Sequence, residues 1–345
     1  MSASMLRVAT IPLVSLRGEV SQNVERVAQW LALAARDQID LAVFPEACLV
    51  GGADLTSLHR RELEALAERL DGPALSAVAD AVESTGVAAG VGLIERAQDG
   101  RLFNSYVICM PGGPRHCHRK LYAFEHRRIE CGERFTVFDT AWGVRIGILI
   151  GADNYLIENV RMTALMGATL LVAPHRRYGV SRASEEQLRL VSRKRRAGGN
   201  SGRRVANASA NADVGEYSDA ASCLRRWLPA RAGDNGMFVA FSDGADVRNE
   251  NEQAPAGTAM ILDPCGRILA ESTGESRTIV SADLNSALID SSIGRQWLMR
   301  RRASLYGPLA RTSSEAATVA DAPRVARAGS VALSFAVVGR GRLIR

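Results

Sequence analysis

The chain has 345 residues, 47% of them hydrophobic, and a formal net charge of +6, a composition that supports a sizeable core and excludes wholesale disorder. No run approaches the roughly 18 consecutive apolar residues of a membrane span, and the N-terminal residues alternate apolar and polar side chains rather than forming a leader, so a cytoplasmic protein is expected. Six scattered cysteines without C-x-x-C spacing read as free thiols, not as a disulfide framework or a zinc ribbon.

In chain order, Leu6–Leu13 reads as an extended strand. Val24, Val27, Leu31 and Ala34 then fall on one face of a helix over Ser21–Arg36. Asp40–Phe44 is a short apolar strand ending in Pro45-Glu46. Leu63, Leu66 and Leu70 mark a second helix stopped by Asp71-Gly72-Pro73, Ala74–Ser84 a third, and Val87–Ile94 a buried strand. Strands over Phe103–Met110 and Arg115–Leu121 flank the turn Pro111-Gly112-Gly113-Pro114, and Phe135–Asp139 and Val144–Ile150 flank Trp142-Gly143. A helix over Asn159–Met166 and a strand over Thr169–Ala173 follow. Periodicity fades beyond Ser181 until a helix near Asp219–Trp227. Met237–Phe241, Thr258–Leu262, Arg267–Ala270 and Thr278–Ala282 complete the strands, with a hairpin turn at Asp263-Pro264-Cys265-Gly266. Early βαβ order mixed with later hairpins predicts a layered α/β sandwich with mixed sheets.

The chain contains no G-x-G-x-x-G, P-loop, H-E-x-x-H or internal repeat. What stands out is a set of polar residues at strand ends, where α/β folds place reactive groups. Glu46 closes Leu41-Ala42-Val43-Phe44-Pro45, Lys120 closes His116–Lys120, and Gly151-Ala152-Asp153 follows Arg145–Ile150 and opens a helix. Singly, each has a plain reading as a surface or capping group.

As a set, Phe44-Pro45-Glu46, Arg119-Lys120-Leu121, Ile150-Gly151-Ala152-Asp153 with Glu158-Asn159-Val160-Arg161, and Asp234-Asn235-Gly236 before a strand resemble the nitrilase superfamily of carbon–nitrogen hydrolases. The likeness runs from about residue 5 to 175 and resumes from about 227 to 283. It implies a four-layer α-β-β-α sandwich over residues 5–285, a C-terminal extension over 286–345 whose last ~30 residues are expected to be poorly ordered, a homodimer or higher homo-oligomer, and neither cofactor nor metal. It also implies a mechanism. A Cys thiolate attacks an amide, carbamoyl or nitrile carbon, a Glu takes the thiol proton, a Lys stabilises the developing charge, and water hydrolyses the thioester. Carried over by similarity, Glu46 is the base, Lys120 the oxyanion donor, and Glu125, seven residues before Gly132, a further carboxylate lining the site.

The nucleophile's position is Gly151, which has no side chain to attack with. Cys48 is the cysteine nearest a site motif in sequence, but it would approach from another direction. Ala152-Asp153, where nitrile-cleaving members can carry Trp-Glu, looks more like the amidase and carbamoylase branches. Two readings therefore stand: a hydrolase of a small amide or N-carbamoyl compound, and a catalytically inactive relative that keeps the pocket as a ligand-binding or interaction scaffold.

Segment 176–226 does not resemble the family. Segments 176–231 and 294–345 each carry a net charge of +8, leaving the remainder at −10. A lineage-specific insert, a polyanion-binding run and an out-of-frame stretch of a GC-rich gene all fit 176–226, and compensating indels near codons 176 and 226 of the coding DNA would identify the last. Tyr178 is the lone aromatic in 176–200, which argues against single-stranded nucleic acid as a partner. His116 and His118 share a strand face, a conceivable metal pair that lacks a third ligand at suitable spacing.

Overall fold

The computed structural model describes residues 5–176, 220–247, 249, 257–274 and 278–310. Most of the basic segment and the end of the C-terminal extension lie outside the described residues. The chain divides into two compact units, 1–299 and 300–345. Residues 303–310 of the second form two 3-10 turns.

The first unit holds two sheets. One runs β14 (Val280–Asn285), β1 (Met5–Thr10), β3 (Leu41–Val43), β4 (Ala88–Arg96), β5 (Leu102–Cys109), β6 (Arg115–Arg119), with β7 (Ile129–Glu130) paired to β5. The other runs β13 (Ile268–Ser272), β12 (Ala259–Leu262), β11 (Phe238–Val247), β10 (Leu170–Arg176), β9 (Arg145–Ile148), β8 (Thr136–Asp139), with β2 (Val14–Leu16) paired to β11. Both sheets mix parallel and antiparallel pairs. Helices α1 (Val20–Arg36) and α3 (Pro73–Thr85) cover the first sheet, with α2 (Arg60–Leu66) beside them. Helices α4 (Ile157–Leu165) and α5 (Ala220–Asn235) cover the second, followed by α6 (Ala287–Ser291) and α7 (Ile293–Met299).

Side-chain alternation along the strands builds these layers. On β10, Leu170 and Val172 face the opposing sheet while Leu171 and Ala173 face the helices; on β11, Phe238 and Ala240 do the first and Val239 and Phe241 the second. Val8, Val43 and Ile108 meet Ile146, Ile148, Val172 and Ile261 between the sheets. Val24, Val27 and Leu31 of α1 and Val78 and Val82 of α3 pack on the outer face of the first sheet. Each such side chain stabilises the fold by about 1.5–3 kcal/mol relative to exposure. The architecture is the expected four-layer α-β-β-α sandwich.

Several elements differ from the sequence reading; the helix expected to reach Leu70 ends at Leu66, with Ala67 already extended. The strand expected over Leu6–Leu13 ends at Thr10, short of Pro12, which has no amide hydrogen for a ladder. The chain turns there, with Leu13 N donating to Ile11 O (2.7 Å), and β2 joins the other sheet. The helix expected near Asp219–Trp227 continues through Pro229 to Asn235. Among the described residues, no helix is long and apolar enough to cross a membrane.

Candidate active site

The parallel strands β3 and β9 belong to different sheets, yet each ends at the same polar centre. After β3, Tyr106 donates its hydroxyl to Phe44 O (2.7 Å) and fixes the exit of the chain. Ala47 then takes a φ of +49°, and the backbone crosses β4 at Gly92. A Cβ on Gly92 would lie 2.3 Å from Ala47 N, so only glycine lets the strand pass. Arg176 Nε donates to Glu46 O (2.6 Å) and its Nη2 to Ser15 Oγ (3.2 Å). This arginine, at the edge of the segment with no family resemblance, is itself buried.

Lys120 follows β6, its N–H donating to Asn104 O (2.8 Å) while its carbonyl accepts from Gly132 N (2.7 Å). Its Nζ lies 2.7 Å from Glu46 Oε1 and also contacts Glu125 Oε1. Asn104 Nδ2 donates to both carboxylates, to Glu46 Oε1 at 2.7 Å and Glu125 Oε1 at 3.2 Å. Glu46, Lys120 and Glu125 are each no more than 2% exposed. Two carboxylates thus share one ammonium away from bulk water, where charge interactions are strong. The ring of Phe124, an exposed residue, centres 5.5 Å from Lys120 Nζ.

Gly151 opens a 3-10 turn after β9 with a φ of +47°, a backbone region that side chains disfavour. A Cβ built there would lie 2.6 Å from Glu46 Oε2 and 3.3 Å from Lys120 Nζ. The structure therefore gathers all four residues singled out in the sequence. Glu46, Lys120 and Glu125 touch directly or through Lys120, and the side-chain position of Gly151 abuts the first two.

Asp153 ties this turn to the lysine. Its Oδ1 accepts from the amides of Leu121 and Tyr122 (both 3.0 Å), and its Oδ2 accepts from Ile150 N (3.1 Å) and faces His118 Nε2 (3.2 Å). His118 Nδ1 lies 3.1 Å from Thr136 Oγ1. Each buried amide left without an acceptor costs about 1–3 kcal/mol. Asp153→Ala is therefore expected to lower unfolding free energy by about 2–3 kcal/mol, read from the urea midpoint at unchanged slope. A loss below about 0.5 kcal/mol, the range of ordinary surface substitutions, would show that the clamp is not holding the turn.

Asn104 and the His118–Asp153 bridge were missed as site residues. The available signal was register: His118 stands two residues before Lys120 on the same face of a strand that ends at the site. The conceivable metal pair dissolves, since His116 stacks on Phe138 with ring centroids 3.6 Å apart while His118 engages Asp153 and Thr136. Cys48 sits in the layer between the first sheet and its helices, accepts from Gly92 N at 3.3 Å, and burial pushes its thiol up to about 11. It is a core side chain with a raised thiol, not a reactive thiolate.

The carbon–nitrogen hydrolase family profile matches residues 7–200. An (R)-stereoselective amidase of a Pseudomonas species is 33% identical over 297 residues, which span 81% of this chain and 86% of that protein. The chain belongs to the carbon–nitrogen hydrolase family. A nitrilase of Pyrococcus abyssi is 28% identical over 174 residues, 49% of this chain and 64% of its own. Among solved structures, an amidase of Nesterenkonia from the nitrilase superfamily superposes with a TM-score of 0.59 at 18% identity, covering 89% of this chain and 97% of that one. A branch 10 nitrilase-superfamily member of Saccharomyces cerevisiae gives a TM-score of 0.60 at 19% identity, over 84% and 93% of the two chains. The amidase and nitrilase-superfamily likenesses agree with the hydrolase expected from the strand-end motifs.

Proposed function

We propose that this carbon–nitrogen hydrolase holds a small amide or N-carbamoyl compound between Glu46, Lys120 and Glu125, and that Gly151 keeps it from the family's thioester route. The observation that carries this reading is the convergence of the two carboxylates and the ammonium on the side-chain position of residue 151. Lys120 Nζ is the donor for the substrate oxygen, and a charged donor in a water-excluded site stabilises developing negative charge strongly. Glu46 is the base that would take a nucleophile's proton. Glu125 and Asn104 hold the ammonium and first carboxylate in register, and Glu125 Oε2, buried and without a hydrogen-bond partner among the described residues, is an acceptor for a substrate N–H. The neighbours favour holding without cutting as a state this fold supports, for a Cys-to-Ala mutant of the Nesterenkonia amidase was solved in complex with butyramide.

Calorimetric titration of the full chain with butyramide tests the reading. Saturable binding without ammonia release is expected, with affinity reduced about tenfold or more by Glu125→Gln. No heat of binding from a folded chain across amide, carbamoyl and nitrile ligands would overturn it.

We also propose a homodimer through the helices on the second sheet. Ile157 and Met162 of α4, Trp227 of α5 and Trp297 of α7 are exposed apolar residues on neighbouring helices, and clustered exposed apolar surface marks association sites. Ile157→Asp should shift sedimentation from dimer to monomer, and a wild-type chain that sediments as a monomer would end the proposal. The hydrolase domain is taken as 5–285 and the protein as cytoplasmic.

A further inference from the structure

Strands of the second sheet close on the turn that carries Glu46. Arg176 ends β10, and its register partner on β11 is Gly244. A Cβ on Gly244 would lie 2.7 Å from Pro45 Cβ and 2.9 Å from Arg176 Nη2, so the missing side chain lets the guanidinium and the turn meet. Buried there, at 2% exposed, the guanidinium reaches three separate groups. Nε donates to Glu46 O at 2.6 Å, Nη2 donates to Ser15 Oγ at 3.2 Å, and Nη1 contacts the carboxylate of Asp246. Ser15 Oγ in turn donates to Cys48 O at 2.8 Å. The carbonyls on either side of Ala47 are therefore both held from the second sheet, one directly and one through Ser15. Ala47 itself has a φ of +49°, a conformation that persists only where its surroundings impose it.

We propose that Arg176 is a positioning residue for Glu46, a clamp through which the second sheet sets where the base of the first sheet points. The direction in which a side chain leaves the chain is set by its backbone. Rotating the peptide between Glu46 and Ala47 would swing the carboxylate away from Lys120 Nζ and Asn104 Nδ2, each 2.7 Å from Oε1. An arginine fork reaches three groups at once, whereas a lysine ammonium is a single point charge. Asp246 supplies the counter-charge, and the bond to Glu46 O supplies the aim. The inference rests on the amide-holding reading for the role of Glu46, and it adds to that apparatus a residue from the stretch with no family resemblance.

NMR of the full chain, labelled with carbon-13 at the glutamate carboxyls, tests the clamp, the Glu46 line being assigned by its loss in Glu46→Gln. Arg176→Lys keeps a positive charge beside Asp246 but cannot span all three partners. It should move the Glu46 line and leave in place that of Glu95, a buried carboxylate held instead by Ser105 and Arg119. Should the lysine variant fail to fold, Arg176→Met with Asp246→Asn removes both charges of the pair and carries the same expectation. In a Gly151→Cys chain, adding Arg176→Lys should lower kcat for amide hydrolysis about tenfold or more. KM should stay within about twofold, the pattern of lost alignment in the transition state rather than lost binding. If Gly151→Cys shows no turnover, the resonance alone decides. An unmoved Glu46 line in a folded variant overturns the proposal, as does an unchanged kcat. Equal movement of Glu95 overturns it too, since that would report general loosening. A moved Glu46 line in a chain that binds no butyramide sinks the amide-holding reading alone, whereas butyramide binding with an unmoved line sinks the clamp alone.

Discussion

Gly151→Cys is expected to raise ammonia release from a small amide by about a thousandfold or more over the parent chain, the scale on which deleting a catalytic nucleophile lowers turnover elsewhere. The argument is geometric. A thiol at 151 would start from a Cβ 3.3 Å from Lys120 Nζ and against the carboxylate of Glu46, the groups needed to take its proton and to stabilise the tetrahedral oxyanion. The substitution carries a conformational cost. A φ of +47° on a residue with a Cβ stores about 1–3 kcal/mol, and Glu46 Oε2 must retreat from a 2.6 Å approach. Lower stability should therefore accompany the gained activity. Gly151→Ala separates the two effects: it carries the same Cβ and the same strain, so it should melt like the cysteine variant and release no ammonia. A folded Gly151→Cys chain that stays silent on amides, carbamoyl compounds and nitriles would show that residue 151 is not the nucleophile's seat.

Lys120→Met should cost about 3–5 kcal/mol of unfolding free energy, because removing one partner from a buried ion group leaves uncompensated charge. Here the remainder is two carboxylates, Glu46 and Glu125, bridged by the Asn104 amide and almost sealed from water. The methionine retains most of the apolar stem, so the loss reports the charge rather than a cavity. Adding Glu125→Gln to Lys120→Met removes one of the two stranded charges and should restore at least about 1 kcal/mol, a non-additivity characteristic of contacting residues. Urea unfolding of the parent, both single variants and the double variant measures it. A double variant less stable than Lys120→Met would reject the account in which two carboxylates depend on one ammonium.

The layers of the fold were legible in the sequence because each is written in a short period. Continuous apolar runs at the start of β10 and β11 mark strands buried on both faces, and the three-and-four spacing of Val24, Val27 and Leu31 specifies one apolar helix face; such elements have few ways to be buried. The ends of strands β3 and β9 were legible too, since a charged residue and a glycine abruptly close apolar runs at Glu46 and Gly151, while Lys120 closes the polar strand Arg115–Arg119. The tethers among them were not. Asn104 lies within a strand that otherwise reads as core, and its role depends on β5 lying beside β6. Asp153 accepts mostly from backbone amides, which every residue but proline carries and no motif records. Pro12 was visible, but its consequence, a chain that changes sheets, depends on a partner strand more than 200 residues away.

Glu46, Asn104, Lys120 and Glu125 all come from the first sheet or the loop that follows it, whereas Gly151 comes from the second. On the proposed reading, the base, the oxyanion donor and the second carboxylate thus come from one half of the sandwich and the seat of the nucleophile from the other. On that reading, a substitution at residue 151 adds or removes the nucleophile while the side chains supplied by the first sheet keep their identities. Under the proposed function, an amide-cleaving and an amide-holding protein differ at a single position set against an otherwise unchanged pair of carboxylates and an ammonium.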